Sequence, residues 1–262
     1  MELHMKNAGE RSLAEHTEEL LYRARTVLIA VLCSSMIVSL IPAKMNPEYV
    51  PLVSFVLRKI EDDLLPEGVT LIALTWTGVL YVYFLFALLL GFIAASPIVA
   101  YQAYKFVTPA LYPHEKKNAF WFIGSFVILL VFGMAFSYWL LLPLTFRFLM
   151  MFTHAVGANP VFSVYDFLSF TILVMFAIGL MFTFPVFTTL LIKLGVITPN
   201  TLTSRWREIV LGLCILTAVI TPDVSGVTMV LLLLPLLTLY GVAVVVGKIT
   251  YKKISRFKSA QQ

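Results

Sequence analysis

Six apolar stretches free of Asp, Glu, Lys, Arg and His leave this chain little choice of solvent: residues 26–43, 79–100, 119–142, 167–192, 209–221 and 227–247. A helix needs about 20 apolar residues to cross a hydrocarbon core of about 30 Å. Four of the six are long enough and the first is slightly short. The fifth has 13 residues, about 20 Å at 1.5 Å per residue, so it must sit in a thinned or protein-lined part of the bilayer or borrow flanking residues. A re-entrant hairpin made of the fifth and sixth stretches is the alternative. Only 13% of the chain is charged, against about 25% in a soluble domain. Too little polar surface remains to face water all round, so the outside of the fold must face lipid.

With six crossings both termini share one side of the membrane. That side carries fifteen of the 19 Lys and Arg, and the other carries Lys44, Arg58, Lys59 and Arg147. The positive-inside bias then places both termini in the cytoplasm of a multi-pass protein of the cell membrane. A pI of about 9.2 reflects this asymmetry and is no sign of nucleic-acid binding. The first 25 residues mix five acids with four bases and hold no apolar core, so they do not read as a signal peptide.

One domain, 1–262, covers the chain: a cytoplasmic amino-terminal helix over 1–25, six spans over 26–247 and a basic cytoplasmic tail over 248–262. Ser12-Leu13-Ala14-Glu15 has the form of a capping box, which starts a helix near Leu13 and carries it into the first span. Residues 45–77 form the longest outside loop, with an amphipathic patch over 52–65 suited to the bilayer surface. Residues 143–166 make a second outside loop. Thr198-Pro199 opens a helical turn, and Thr221-Pro222-Asp223 is a tight outside turn. Pro97, Pro143, Pro185 and Pro235 lie in or at the ends of spans, where each removes a backbone hydrogen bond and bends its helix. The expected fold is an all-α bundle of six transmembrane helices, curved and uneven.

Empty spans also limit function. Proton-coupled transporters, pumps and voltage sensors need ionisable groups at membrane depth. The zinc motif His-Glu-x-x-His and the serine motif Gly-x-Ser-Gly of intramembrane proteases are both missing, so no catalytic residue is expected. Cys33 and Cys214 read as small apolar residues of separate spans, and no His/Cys cluster offers a metal or cofactor site. A small-solute carrier and a purely structural scaffold remain as other classes.

Acids on the basic side are the notable exception to its charge. Glu15, Glu18 and Glu19 precede the first span, and Glu115 lies in the loop Pro109-Ala110-Leu111-Tyr112-Pro113-His114-Glu115-Lys116. They have two readings. Glu19 can pair with Arg23 at i,i+4, and Glu115 with Lys116 or Lys117, each exposed pair contributing about 0.3–0.5 kcal/mol. Alternatively, Glu19 and Glu115 receive the guanidinium groups of a partner, since Arg offers carboxylate a planar fork that Lys lacks. Tyr101, Tyr104 and Phe106 stand nearby, either as an interfacial aromatic belt or as an apolar platform for a peptide.

Four stretches resemble the TatC family of twin-arginine translocase subunits: 12–20 with its His16-Thr17-Glu18-Glu19-Leu20; 96–115 from Ser96-Pro97 through Gln102 and Phe106 to Glu115; Gly133-Met134-Ala135-Phe136-Ser137-Tyr138 with Pro143 and Phe146 following; and Thr221-Pro222-Asp223 with Pro235 beyond. The resemblance implies a concave six-helix bundle whose fifth and sixth helices are short, and a core receptor without enzymatic activity or cofactor. It implies that Glu19 and Glu115, with Phe106, Glu15 and Arg23 close by, bind the paired arginines of signal peptides on folded cargo. It further implies partners of the single-span TatA and TatB type, a homo-oligomer within the complex, and Thr183, Pro185 and Asp223 as partner-contact candidates. Two positions depart from the family pattern. Leu21 stands where an Arg is usual, and Thr183 stands two residues before Pro185 where many members have Glu or Gln. A Thr hydroxyl carries no charge, and it either marks a partner face or bonds back to its own helix.

Overall fold

The structure, a computed structural model, describes residues 13–44, 49–66, 68–107, 119–155, 157, 161–220 and 226–259; side chains are described from Thr17 onward, except at 227 and 253–259. Helix α1 is described over Leu13–Leu40 and runs unbroken into the first apolar stretch. A short outside helix follows, α2, Leu52–Leu64. Next come α3, Trp76–Val107, and α4, Ala119–Phe136. A π-helical turn, Ser137–Leu141, joins α4 to α5, Leu142–Ala155. The fourth apolar stretch is split into α6, Val164–Phe182, and α7, Phe184–Lys193. Then follow α8, Pro199–Ser204, α9, Trp206–Ile220, and α10, Val227–Ser259.

Among the described residues, five runs are long and apolar enough to cross a membrane: Thr17–Leu40, Trp76–Phe106, Ala119–Ala155, Val164–Lys193 and Thr228–Lys252. The fifth expected span is α9. It gains Trp206, Arg207 and Glu208 from the flank yet reaches only 15 residues, about 22 Å. The sixth helix is not short, contrary to expectation. Nothing after Gly247 breaks it, so α10 carries the basic tail onward to 33 residues.

The outside loops differ from expectation as well. Residues 143–155 are helical, because the chain widens before Pro143 instead of stopping. Proline lacks an N–H and its ring crowds the carbonyl four residues back, here that of Trp139. In the π turn the Leu142 N–H reaches the Ser137 carbonyl five residues back, which takes the helix past the proline without ending it. The patch at 52–65 forms α2 but does not spend its apolar face on lipid: Val53, Ile60 and Leu64 are buried against the bundle. Two small sheets, unforeseen in an all-α reading, tie the loops. β1, Pro42–Lys44, pairs antiparallel with β2, Val50–Pro51. β3, Thr70–Ile72, pairs parallel with β4, Val161–Ser163, Leu71 opposite Phe162.

Helix α3 is the centre of the bundle, packed by α1 on one side and by α4 and α6 on another. Phe86, Phe126, Leu130, Leu142 and Ile178 are wholly enclosed, and ring pairs such as Phe92 with Phe176 (5.1 Å) and Phe126 with Phe187 (5.8 Å) fill the gaps. With no water to squeeze out, membrane helices associate through close van der Waals contact between small residues. A Cβ on Gly133 would stand 2.7 Å from the Phe182 Cβ, and one on Gly179 would stand 2.6 Å from the Met134 Cγ, so α4 meets α6 at two glycines. Around this core, Leu32, Ile37, Phe132, Leu211 and Val219 point outward, exposed, as a lipid-facing surface requires. Span hydroxyls are satisfied within their own helices: Thr171 donates to the Phe167 carbonyl (2.8 Å) and Thr188 to that of Phe184 (2.9 Å). Among the described residues, the one buried side-chain hydroxyl without a partner is Ser137, in the π turn.

Candidate functional site

One end of the bundle collects the start of α1, the end of α3, the start of α4 and the end of α7. The ring contact of Tyr104 with Phe122 (5.4 Å) and the packing of Tyr104 on Leu190 fix three of these together. A polar network fixes the fourth. Glu19 and Arg23 lie one turn apart on α1, so their side chains meet on one face. The Arg23 Nη2 makes a short ion pair with the Glu19 Oε1, and its Nε donates to the same oxygen at 3.2 Å. Its Nη1 donates across to the Gln102 Oε1 on α3 at 3.3 Å. The two charged side chains are only 12% and 19% exposed. This pair is therefore held more firmly than a freely solvated surface pair.

Gln102 and Phe106 are four residues apart on α3 and share a face. Phe106 is half-buried, and Tyr101 beside them is exposed with the Lys105 ammonium 5.7 Å over its ring. Tyr104 turns the other way, into the core, and is 5% exposed. The three aromatics named from sequence therefore divide: Tyr104 is packing, while Tyr101 and Phe106 stay at the surface of the network. Of the acids, Glu19 is in place and Glu18 is exposed. Glu15 lies one turn before Glu19 on α1. Glu115 and Asp223 lie outside the described residues.

Thr183 sits at the break between α6 and α7, 2% exposed, and its hydroxyl donates to the Leu180 carbonyl at 2.6 Å. Of its two sequence readings, back-bonding describes this hydroxyl. Pro185 lies in the first turn of α7, is buried, and lines a groove of about 660 Å³ between α4, α7 and α10. The break itself follows from Pro185, which cannot donate to a carbonyl of α6; the Thr183 N–H turns to Leu180 at 3.0 Å. Sequence reasoning gave Gln102 no role, although it is the polar residue one turn before Phe106. Its partner is 79 residues away in the chain, which no local pattern announces. Among the described residues no three of His, Cys, Asp and Glu gather as metal ligands would.

Such an end has the means to hold a guanidinium group at a shielded carboxylate, beside an aromatic surface. The chain is similar to known proteins in sequence and in fold. The sequence model of the family described as Sec-independent protein translocase protein (TatC) matches residues 15–235. The Sec-independent protein translocase protein TatC of Aquifex aeolicus is 34% identical over 253 residues, 95% of this chain and 99% of that protein. TatCy of Bacillus subtilis is 30% identical over 196 residues, 75% and 77% of the two chains. A crystal structure of the twin arginine translocase receptor TatC superposes with a TM-score of 0.78 at 34% identity, covering 90% of this chain and 99% of that one.

Proposed function

Because this chain belongs to the TatC family, we propose that Glu19, at the basic end of the bundle, receives an arginine of a twin-arginine signal peptide. The chain is a membrane-embedded receptor subunit of the Sec-independent translocase and not an enzyme. One observation supports the recognition step above others: the Glu19 carboxylate already holds a guanidinium, that of Arg23, in a shielded setting. The carboxylate thus accepts the planar fork that an arginine pair presents and a lysine pair does not. Glu115 supplies the second carboxylate, Glu15 extends the acidic face of α1 by one turn, and Phe106 offers an apolar surface to the residues around the arginine pair.

Both termini are cytoplasmic in this reading, in the cell membrane, so the receptor face looks toward folded cargo before export. Copies of the chain assemble with TatA- and TatB-type single-span subunits. Their contact is proposed along the break in the fourth span, at Thr183 and Pro185, and at the outside tip near Asp223. Since the Thr183 hydroxyl is engaged in its own helix, the contact at the break is made by its exposed neighbour Phe184. A photo-crosslinker at 184 captures a TatA-type partner, and no adduct there removes this part of the reading. For the receptor step, Glu19→Ala and Glu115→Ala each abolish export of a twin-arginine cargo while the protein stays inserted. Normal export in both variants and in their double would sink it.

A further inference from the structure

The groove between α4, α7 and α10 has dimensions and chemistry of its own. It runs from Trp121 to Phe132 along α4 and from Lys193 to Phe182 along α7 and the end of α6. Each path spans twelve residues, about 16 Å from first to last along a helix. Half of a hydrocarbon core of about 30 Å is about 15 Å, so the groove is one leaflet deep. A partner helix that crosses the membrane would overrun it by as much again. Its lining is apolar through most of its depth, and the Thr189 hydroxyl is spent on the Pro185 carbonyl at 2.7 Å. Lys193 is the one charged residue in the lining, and among the described residues it makes no ion pair. It stands at the mouth, on the basic end of the bundle. Trp121 stands there too, 74% exposed, where an indole belongs at headgroup level.

A cation at headgroup depth above an apolar slot one leaflet deep matches one kind of occupant. We propose that the groove is a binding site for an anionic glycerophospholipid, with its phosphate on the Lys193 ammonium and one acyl chain lying along α7 toward Phe182. The site rests on the membrane-spanning fold alone and stands or falls apart from the signal-peptide reading. Basic pockets between spans attract anionic headgroups in this way.

Trp121 makes the site measurable. The full chain with Trp76, Trp139 and Trp206, all exposed, replaced by Phe keeps one indole at the groove mouth. It is reconstituted in phosphatidylcholine vesicles with a minor fraction of lipid brominated on the acyl chain. Brominated phosphatidylglycerol is expected to quench Trp121 with about fivefold higher apparent affinity than brominated phosphatidylcholine, the worth of one basic residue near an anionic surface. Lys193→Gln removes the preference and Lys193→Arg keeps it. Equal quenching by the two lipids in the parent chain would mean ordinary bilayer contact and overturn the site. Displacement of the anionic lipid by an arginine-pair signal peptide would give the groove to cargo and overturn it equally.

Discussion

Arg23 occupies the position on Glu19 that an arriving arginine would take, and this sets up a competition within one turn of α1. Its three donations, two to Glu19 and one to Gln102, hold the carboxylate neutralised while no cargo is present. In the proposed receptor step, Gln102 would give a displaced Arg23 guanidinium somewhere to stay, so α1 and α3 would not need to separate. Charge-assisted hydrogen bonds contribute about 1.5–3 kcal/mol, which sets the scale of the effects. Glu19→Gln is expected to weaken binding of an arginine-pair peptide by tenfold or more. Arg23→Gln, which removes the competing guanidinium, strengthens it by severalfold, and a lysine-pair peptide gains less. Fluorescence anisotropy of labelled peptides in detergent reads all three. Loss of binding in Arg23→Gln would make Arg23 a holder of the Glu19 geometry and end the competition. The i,i+4 pair was legible in the sequence because a helix brings such residues together. Gln102 was not, because only the packing of α1 on α3 gives it a partner. Glu115, the other carboxylate of the expected site, lies outside the described residues.

At the scale of elements, the α4–α6 contact shows how a single Cβ decides packing. A methyl at Gly133 would meet the Phe182 Cβ at 2.7 Å and the Gly179 Cα at 3.0 Å, atoms tied closely to backbone. A methyl at Gly179 meets first the Met134 Cγ at 2.6 Å, part of a flexible side chain that can swing away. At Gly124 nothing lies within 4 Å. Overpacking costs about 1–3 kcal/mol, so Gly133→Ala is expected to lower the thermal midpoint in detergent clearly, Gly179→Ala by less, and Gly124→Ala not at all. A second element-scale prediction concerns α2. The Tyr138 hydroxyl, in the π turn, donates to the Asp63 Oδ2 at 2.5 Å and pins the end of α2. Tyr138→Phe costs about 0.5–1.5 kcal/mol and raises hydrogen exchange in α2 first. Apolar period and proline position made the long helices readable beforehand. They did not show that a π turn takes α4 through Pro143, nor that the loops pair as strands. Both outcomes depend on neighbours far off in the chain: β3 meets β4 across some ninety positions, Thr70 to Val161.

For the whole molecule the open question is whether α9 and α10 together make a hairpin across the membrane. At its basic end α10 is tied to α8 by the Tyr240 hydroxyl, which donates to the Leu202 carbonyl at 2.6 Å, and to α7 where Gly247 approaches Ile192. From that end α9 leads away for 15 residues, about 22 Å, and α10 returns along it. The shortfall of about 8 Å against a core of about 30 Å is met in one of two ways. Either the bilayer thins beside α9, at a fraction of a kcal/mol per Å of mismatch, or the tip stays below the outer surface. Because α9 exposes Leu211, Ile215 and Val219 on one side, its own chain does not cover that side, and thinning is the expected answer. It predicts a tip open to outside water. With Cys33 and Cys214 replaced by Ser, a cysteine at position 223 reacts in intact cells with a maleimide that does not cross membranes, and a cysteine at position 195 does not until the cells are opened. Gly195 suits this control because it lies at the basic end just after α7, in open space. Labelling of 195 but not 223 from outside would reverse the orientation drawn from Lys and Arg. Labelling of neither in intact cells would leave the tip buried, so that neither α9 nor α10 crosses, and reduce the crossings to the four long runs that precede them.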